Sequence, residues 1–195
     1  MFNAKGLLIL NNQAGPIMEI VNTPEFQQAM LETPAYYRSL LRSLIENSQF
    51  NNIISILKNE GFQKVILMNI KNWSFFLDSL AKNSKFHDTM ISILKTEAFQ
   101  KAMLYYPSYY RFILRSLAEY GNADAITFVI SMLKTKSFQK DMLENLMYYR
   151  PLFMILAERG NTDVASMLNT PEFQKVILNN PKYYSYLSDL FPNSV

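Results

Sequence analysis

The sequence predicts an all-α fold, a helical-repeat solenoid of about five three-helix units that makes residues 1–195 a single domain. Three observations carry this expectation. The dipeptide Phe-Gln recurs at Phe26, Phe62, Phe99, Phe138 and Phe173, at intervals of 36, 37, 39 and 35 residues, and periods of about 20–50 residues mark stacked repeats. Apolar columns keep register with it: Val21, Leu57, Leu94, Leu133 and Leu168 before each Phe, and Leu31, Leu67, Leu104, Leu143 and Leu178 after it. Further on comes the column Leu44, Leu80, Leu117, Leu156 and Phe191. Finally, 5 Gly stand against 14 Phe, 12 Tyr and 11 Met, with no alternating strand pattern, which favours helix.

The chain divides into an N-terminal cap, residues 1–15, and units of approximately 16–49, 50–85, 86–123, 124–161 and 162–195. In the cap, KGLLIL reads as the third helix of an incomplete unit. The first helix of each unit ends in stretches such as IISILK, MISILK and FVISMLK. Thr23, Asn59, Thr96, Thr135 and Thr170 stand three residues before each Phe, suited to accept a bond from an orphan amide at the start of the second helix. Pro24 and Pro171 follow as preset first helical residues. Pro34, Pro107 and Pro181 open the third helix, which ends near Asn47, Lys82, Gly121 and Gly160. The two glycines suit the left-handed position beyond a helix end. TPEFQQAMLETPAYY (Thr23–Tyr37) and TPEFQKVILNNPKYY (Thr170–Tyr184) are thus equivalent pieces of the first and last full units. Such a unit cannot bury its apolar face alone, so stacking supplies the missing wall.

Within this frame the +5 leucines, Leu104 among them, are expected to be buried. The aromatic doublets Tyr36-Tyr37, Tyr109-Tyr110, Tyr148-Tyr149 and Tyr183-Tyr184, with Asn72-Trp73 in the second unit, place their second member on the core face. The first members, Tyr36, Tyr109, Tyr148 and Tyr183, sit at its edge and are candidates for partner contact. Gln27, Gln63, Gln100, Gln139 and Gln174 do not vary between units, as a ligand reader would. They are expected to bond across the seam between units or back to a helix start. Lys64, Lys101, Lys140 and Lys175 form a solvated stripe.

LAERGNTDVASML (Leu156–Leu168) and LAEYGNADAITFVISML (Leu117–Leu133) resemble the junction between the two helices of an ankyrin repeat. Gly160-Asn161 and Gly121-Asn122 match its turn, and Ala157 and Ala118 one of its small packing positions. The family's T-P-L-H stretch is absent, the unit exceeds about 33 residues, and FQKxML stands where the β-hairpin finger would be. In the first two units the Gly-Asn turn becomes Asn47-Ser48 and Asn83-Ser84. The resemblance implies an ankyrin-like array without fingers, a concave surface lined by the third helices, and binding rather than catalysis. Longer units of this style are similar to those of host-associated bacteria and large viruses; if the chain came from one of these, a host cytoplasm would be its place.

For function, Arg38 and Arg42 stand four apart on one third helix, Arg111 and Arg115 on another, and Arg150 repeats the first position. Both columns are expected to point away from the apolar face, as an Arg stripe suited to an acidic protein partner. Asp78 and Asp189 interrupt the second column. The leading expectation is a protein-binding scaffold. The alternatives are single-stranded RNA binding through the Tyr, Gln and Lys columns, which pI 8.9 permits, and a self-assembling array. A net charge of +3 does not itself point to nucleic acid. Catalysis is not expected: there is no Cys, His87 is the single histidine, the carboxylates are scattered, and no nucleophile, phosphate or dinucleotide motif occurs. No metal or cofactor is expected. MFNAKGLLIL lacks the apolar core of a signal peptide and no run suits a membrane span, so a cytoplasmic protein is expected. YLSDLFPNSV, with Ser185, Ser188 and Asp189, reads as a polar cap that keeps the chain monomeric.

Overall fold

In the computed structural model, residues 23–46 and 50–180 are described, apart from the side chains of Tyr36, Leu40 and Ser43. The N-terminal cap, Val21, Pro181, Tyr183, Tyr184, Phe191 and the polar C-terminal cap lie outside the described residues. The helices are α1 (Pro24–Glu32), α2 (Pro34–Glu46), α3 (Phe50–Lys58), α4 (Glu60–Met68), α5 (Ile70–Ala81), α6 (His87–Leu94) and α7 (Glu97–Tyr105). They continue with α8 (Pro107–Tyr120), α9 (Ala123–Leu133), α10 (Lys136–Glu144), α11 (Leu146–Glu158), α12 (Asp163–Leu168) and α13 (Pro171–Leu178). A 3-10 turn, Ser84–Phe86, precedes α6, and the described residues contain no strand. The chain is all-α, as the columns require.

Two units, residues 1–100 and 101–195, divide the chain. In the first, α1 packs on α4, α2 on α5 and α3 on α6, so each helix meets its equivalent one period later. In the second, α8 packs on α11 and α10 on α13. There α9 reaches α12 through an ion pair, Lys134 Nζ to Asp163 Oδ1 at 2.7 Å, exposed enough to contribute little.

The residue three before Phe serves two purposes. Thr23 Oγ1 accepts from the Phe26 amide at 3.2 Å, and Asn59 Oδ1 from that of Phe62 at 3.0 Å. Thr96 and Thr135 instead donate their hydroxyls to Ile93 and Met132 carbonyls, both at 2.8 Å, closing the end of the preceding helix. Thr170 makes no side-chain cap bond. A hydroxyl can donate as well as accept, so the position fits either orphan group. An Asn amide oxygen can only accept, and Asn59 caps forwards.

The core is built where second and third helices meet. Phe26 and Tyr37 pack edge to face with centroids 5.0 Å apart, and Phe62 and Trp73 at 5.4 Å. Tyr37, Trp73, Tyr110 and Tyr149 are all buried, as the doublets predict. Leu57, Leu94, Leu133 and Leu168 are buried too, as are Leu44, Leu80, Leu117 and Leu156. The +5 column is not. Leu104 is 39% exposed and Leu178 69%, while the residues one position earlier, Met30, Ile66, Met103, Met142 and Ile177, are buried throughout. An α-helix brings position +4 back above the Phe, at 3.6 residues per turn, and +5 lies a further 100° round. Met103→Ala should therefore cost about 2–5 kcal/mol, and Leu104→Ala under about 1 kcal/mol because half-open surface leaves no cavity. Urea titration of the two variants decides which column faces inwards.

The helices α8 and α11, both closed by Gly, end in two different ways. At α11, Gly160 takes φ +72, its amide bonds to the Ala157 carbonyl and that of Asn161 to the Leu156 carbonyl. This is the double bond of a left-handed helix end. Gly121 departs from expectation: it is extended, φ −77 and ψ 164. Its lack of a side chain serves proximity instead, since a Cβ there would lie 2.2 Å from the Leu117 carbonyl oxygen and 2.4 Å from Ala125 Cβ. Asn122 then caps α9, its Oδ1 accepting from the Ala125 amide at 3.0 Å.

Candidate functional site

The third helices carry the predicted Arg columns. In the first unit, Arg38 on α2 is half-buried and donates Nη1 to the Asn72 carbonyl on α5. A cleft of about 340 Å³ opens beside it, lined by Ala35, Arg38, Ser39, Arg42, Phe75 and Phe76. Phe75 is 63% exposed. Arg42, one turn beyond Arg38, is exposed, and no ion pair of it occurs among the described residues. The carboxylate at its register one repeat later, Asp78, holds Lys82 Nζ at 2.9 Å.

The second unit repeats the column with different chemistry. The Arg111 guanidinium on α8 lies 4.3 Å from the centre of the Tyr148 ring on α11, and 4.9 Å from that of Phe112. Its Nε is buried without a hydrogen-bond partner. Arg115 Nε approaches Glu119 at 4.0 Å. Arg150 is half-buried on α11, just before Pro151. Tyr109 is half-buried with its ring 6.1 Å from Tyr106, which lies 6.2 Å from Tyr105. Tyr148 is 63% exposed. The side chain of Tyr36 and the whole of Tyr183 lie outside the described residues.

Two candidate sets thus meet. Arg38 and Arg111 each reach the position of the first doublet member one repeat later, Asn72 and Tyr148. The expectation that both Arg columns point clear of the packed face needs correction for the first. Arg38, Arg111 and Arg150 are half-buried, because a long guanidinium side chain can lie flat across the neighbouring helix while Arg42 and Arg115 stand outwards. Among the described residues five exposed aromatics were not anticipated: Phe75, Phe112, Tyr120, Tyr105 and Tyr106. The last two were visible in principle. Other copies place Glu32-Thr33, Met68-Asn69, Glu144-Asn145 and Asn179-Asn180 at that junction, so a Tyr pair there breaks a mostly polar column.

Several polar groups prove internal. Gln63 and Gln174 donate Nε2 to the Leu57 and Leu168 carbonyls, at 2.9 and 3.0 Å, tying the second helix to the end of the first. His87 is buried, and its Nε2 lies 2.8 Å from the Ala81 carbonyl. A carbonyl only accepts, so that nitrogen carries the proton. Among the described residues no group of three or more His, Cys, Asp or Glu side chains could hold a metal ion.

Tyr149 donates its hydroxyl to Asp141 Oδ2 at 2.5 Å, and Asn145 Nδ2 donates to Oδ1 at 3.1 Å. Its counterpart Tyr110 has a buried hydroxyl with no hydrogen-bond partner, because Ala102 stands where Asp141 does. Burial pushes both phenols well above the ordinary tyrosine range. For Tyr149 the Asp141 bond and charge add to this, and Arg111 opposes it. Tyr149→Phe should cost about 1.5–3 kcal/mol, and Tyr110→Phe should be neutral or mildly stabilising. Raised folded-state values make the neutral phenols a stabilising feature that is complete below about pH 10 and lost as pH rises further. Urea midpoints measured up to strongly alkaline pH should fall less steeply in the double Phe variant.

No helix among the described residues is long and apolar enough to cross a membrane. Compared with protein-family models, with curated proteins and with solved structures, the chain finds no match.

Proposed function

We propose that the chain is a helical-repeat solenoid of about five three-helix units, ankyrin-like without β-hairpin fingers, that binds a protein partner on its third helices. The reading makes it a monomeric, non-catalytic scaffold working in the cytoplasm. One observation carries it: in both units the third helices expose large aromatic side chains beside Arg, Phe75 with Arg42 in the first and Phe112 and Tyr148 with Arg111 in the second. Aromatic and Arg side chains are the types enriched where protein interfaces concentrate their binding energy. The packing of equivalent helices one period apart supports the solenoid, and the left-handed turn at Gly160-Asn161 supports the ankyrin-like comparison.

A second reading, single-stranded RNA binding, draws on the Tyr105, Tyr106 and Tyr109 cluster, whose rings could stack bases. A pull-down from cell lysate, with and without nuclease, separates the two. Protein capture that survives nuclease supports the scaffold, and capture that disappears with the nucleic acid supports the second reading.

A further inference from the structure

We infer that the cleft between α2 and α5 docks an acidic segment of the partner protein, its carboxylate held by Arg42 and Arg38 and a neighbouring apolar residue resting on Phe75. This rests on the protein-binding reading and adds where the partner sits and what chemistry it presents. In sequence, Arg38/Arg42 and Arg111/Arg115 are equivalent pairs. In the structure they are not.

The second pair is already answered by its own unit. Arg111 is covered by the Tyr148 and Phe112 rings, at 4.3 and 4.9 Å, and Arg115 faces Glu119 at 4.0 Å. Among the described residues the first pair has no such counterweight. Arg38 spends an N–H on the Asn72 carbonyl, which orients its guanidinium and leaves further donors of the five for a ligand. Arg42 is exposed one turn away, at the ~5–6 Å Cβ spacing of helical i,i+4 pairs, and Asp78 is engaged with Lys82.

Two adjacent guanidinium groups match a carboxylate, which each can grip through parallel N–H donors. The opposite wall is apolar, Phe75 and Phe76, and the remaining lining is Ala35 and Ser39. A volume of about 340 Å³ suits a short peptide segment, at the lower end of ligand clefts of about 300–1,000 Å³. A nucleic-acid strand would need a longer cationic track than this pair. The occupant that fits is an acidic residue with an apolar neighbour.

The test uses the full chain and a fluorescein-labelled Glu/Leu peptide, followed by fluorescence anisotropy at low and moderate salt. Wild type should bind it saturably, with affinity falling as salt rises. Arg42→Glu should weaken binding at least ~10-fold, as loss of a desolvated charge pair does, and Arg115→Glu should leave it within about twofold. Arg42→Gln, which removes the charge without reversing it, should give an intermediate loss and serves if the Glu variant does not fold. Equal losses from Arg42→Glu and Arg115→Glu would show a response to net charge alone and overturn the inference. So would absent peptide binding, or a single-stranded RNA oligonucleotide that binds more tightly than the peptide and depends on Arg42. Should the peptide fail while the chain still captures protein from nuclease-treated lysate, the cleft assignment falls and the scaffold reading stands. If that capture also fails, both fall.

Discussion

Replacing Trp73 by alanine is expected to cost about 3–5 kcal/mol, the largest effect of any single truncation in the first unit. The side chain is fully buried, with the Phe62 ring 5.4 Å away and the Phe76 ring 5.8 Å away, both edge to face. Removing it empties the junction where the second and third helices of one repeat meet. Trp73→Phe should cost less than half as much. Phe keeps an aromatic ring at the site and removes an indole N–H that is buried without a hydrogen-bond partner, and such an orphan donor is itself destabilising. Denaturant unfolding of both variants gives the comparison. Similar losses would mean that the indole N–H is satisfied and that its bond, rather than ring packing, holds the junction.

The second large effect is expected at Gly121. Gly121→Ala should cost about 1–3 kcal/mol, because the new methyl meets the Leu117 carbonyl and Ala125 rather than a flexible side-chain end. Gly160→Ala should cost about 1–2 kcal/mol for a different reason. The space around Gly160 is open, with no atom within 4 Å of an added Cβ, but its backbone is left-handed. Asn visits that conformation readily, so Gly160→Asn should recover most of the loss and Gly121→Asn none. Thermal melts of these four variants separate a crowded glycine from a left-handed one.

These two glycines show how far the sequence reaches. Both stand before Asn at the end of a third helix, and spacing alone assigned them one role. Which of them turns left-handed depends on how the following helix packs, and no local pattern records that. The same applies to Leu104. A leucine column across five copies marks a constrained position, but the adjacent Met/Ile column is the one that returns above the Phe. Helix existence, order and type were legible because the Phe-Gln period, the prolines and the aromatic doublets agree with one another. The candidate site was legible only in part. Arg38, Arg42, Arg111 and Arg115 could be named from their offsets, whereas the difference between the pairs depends on Tyr148, Phe112 and Glu119 in one unit and on Asn72, Phe75 and Asp78 in the other. Part of that difference arises across the helix–helix seam, at Tyr148 and Asn72, and part along α8 itself, where Phe112 and Glu119 stand beside Arg111 and Arg115.

The most direct test of protein binding through the third helices is capture from nuclease-treated lysate by wild type and by an Arg42→Glu, Phe75→Ser double variant. Both substitutions fall on exposed side chains, so circular dichroism and melting temperature should change little. Wild type should retain a protein that the variant does not. Equal capture by the two, or no protein retained by wild type, would contradict the account.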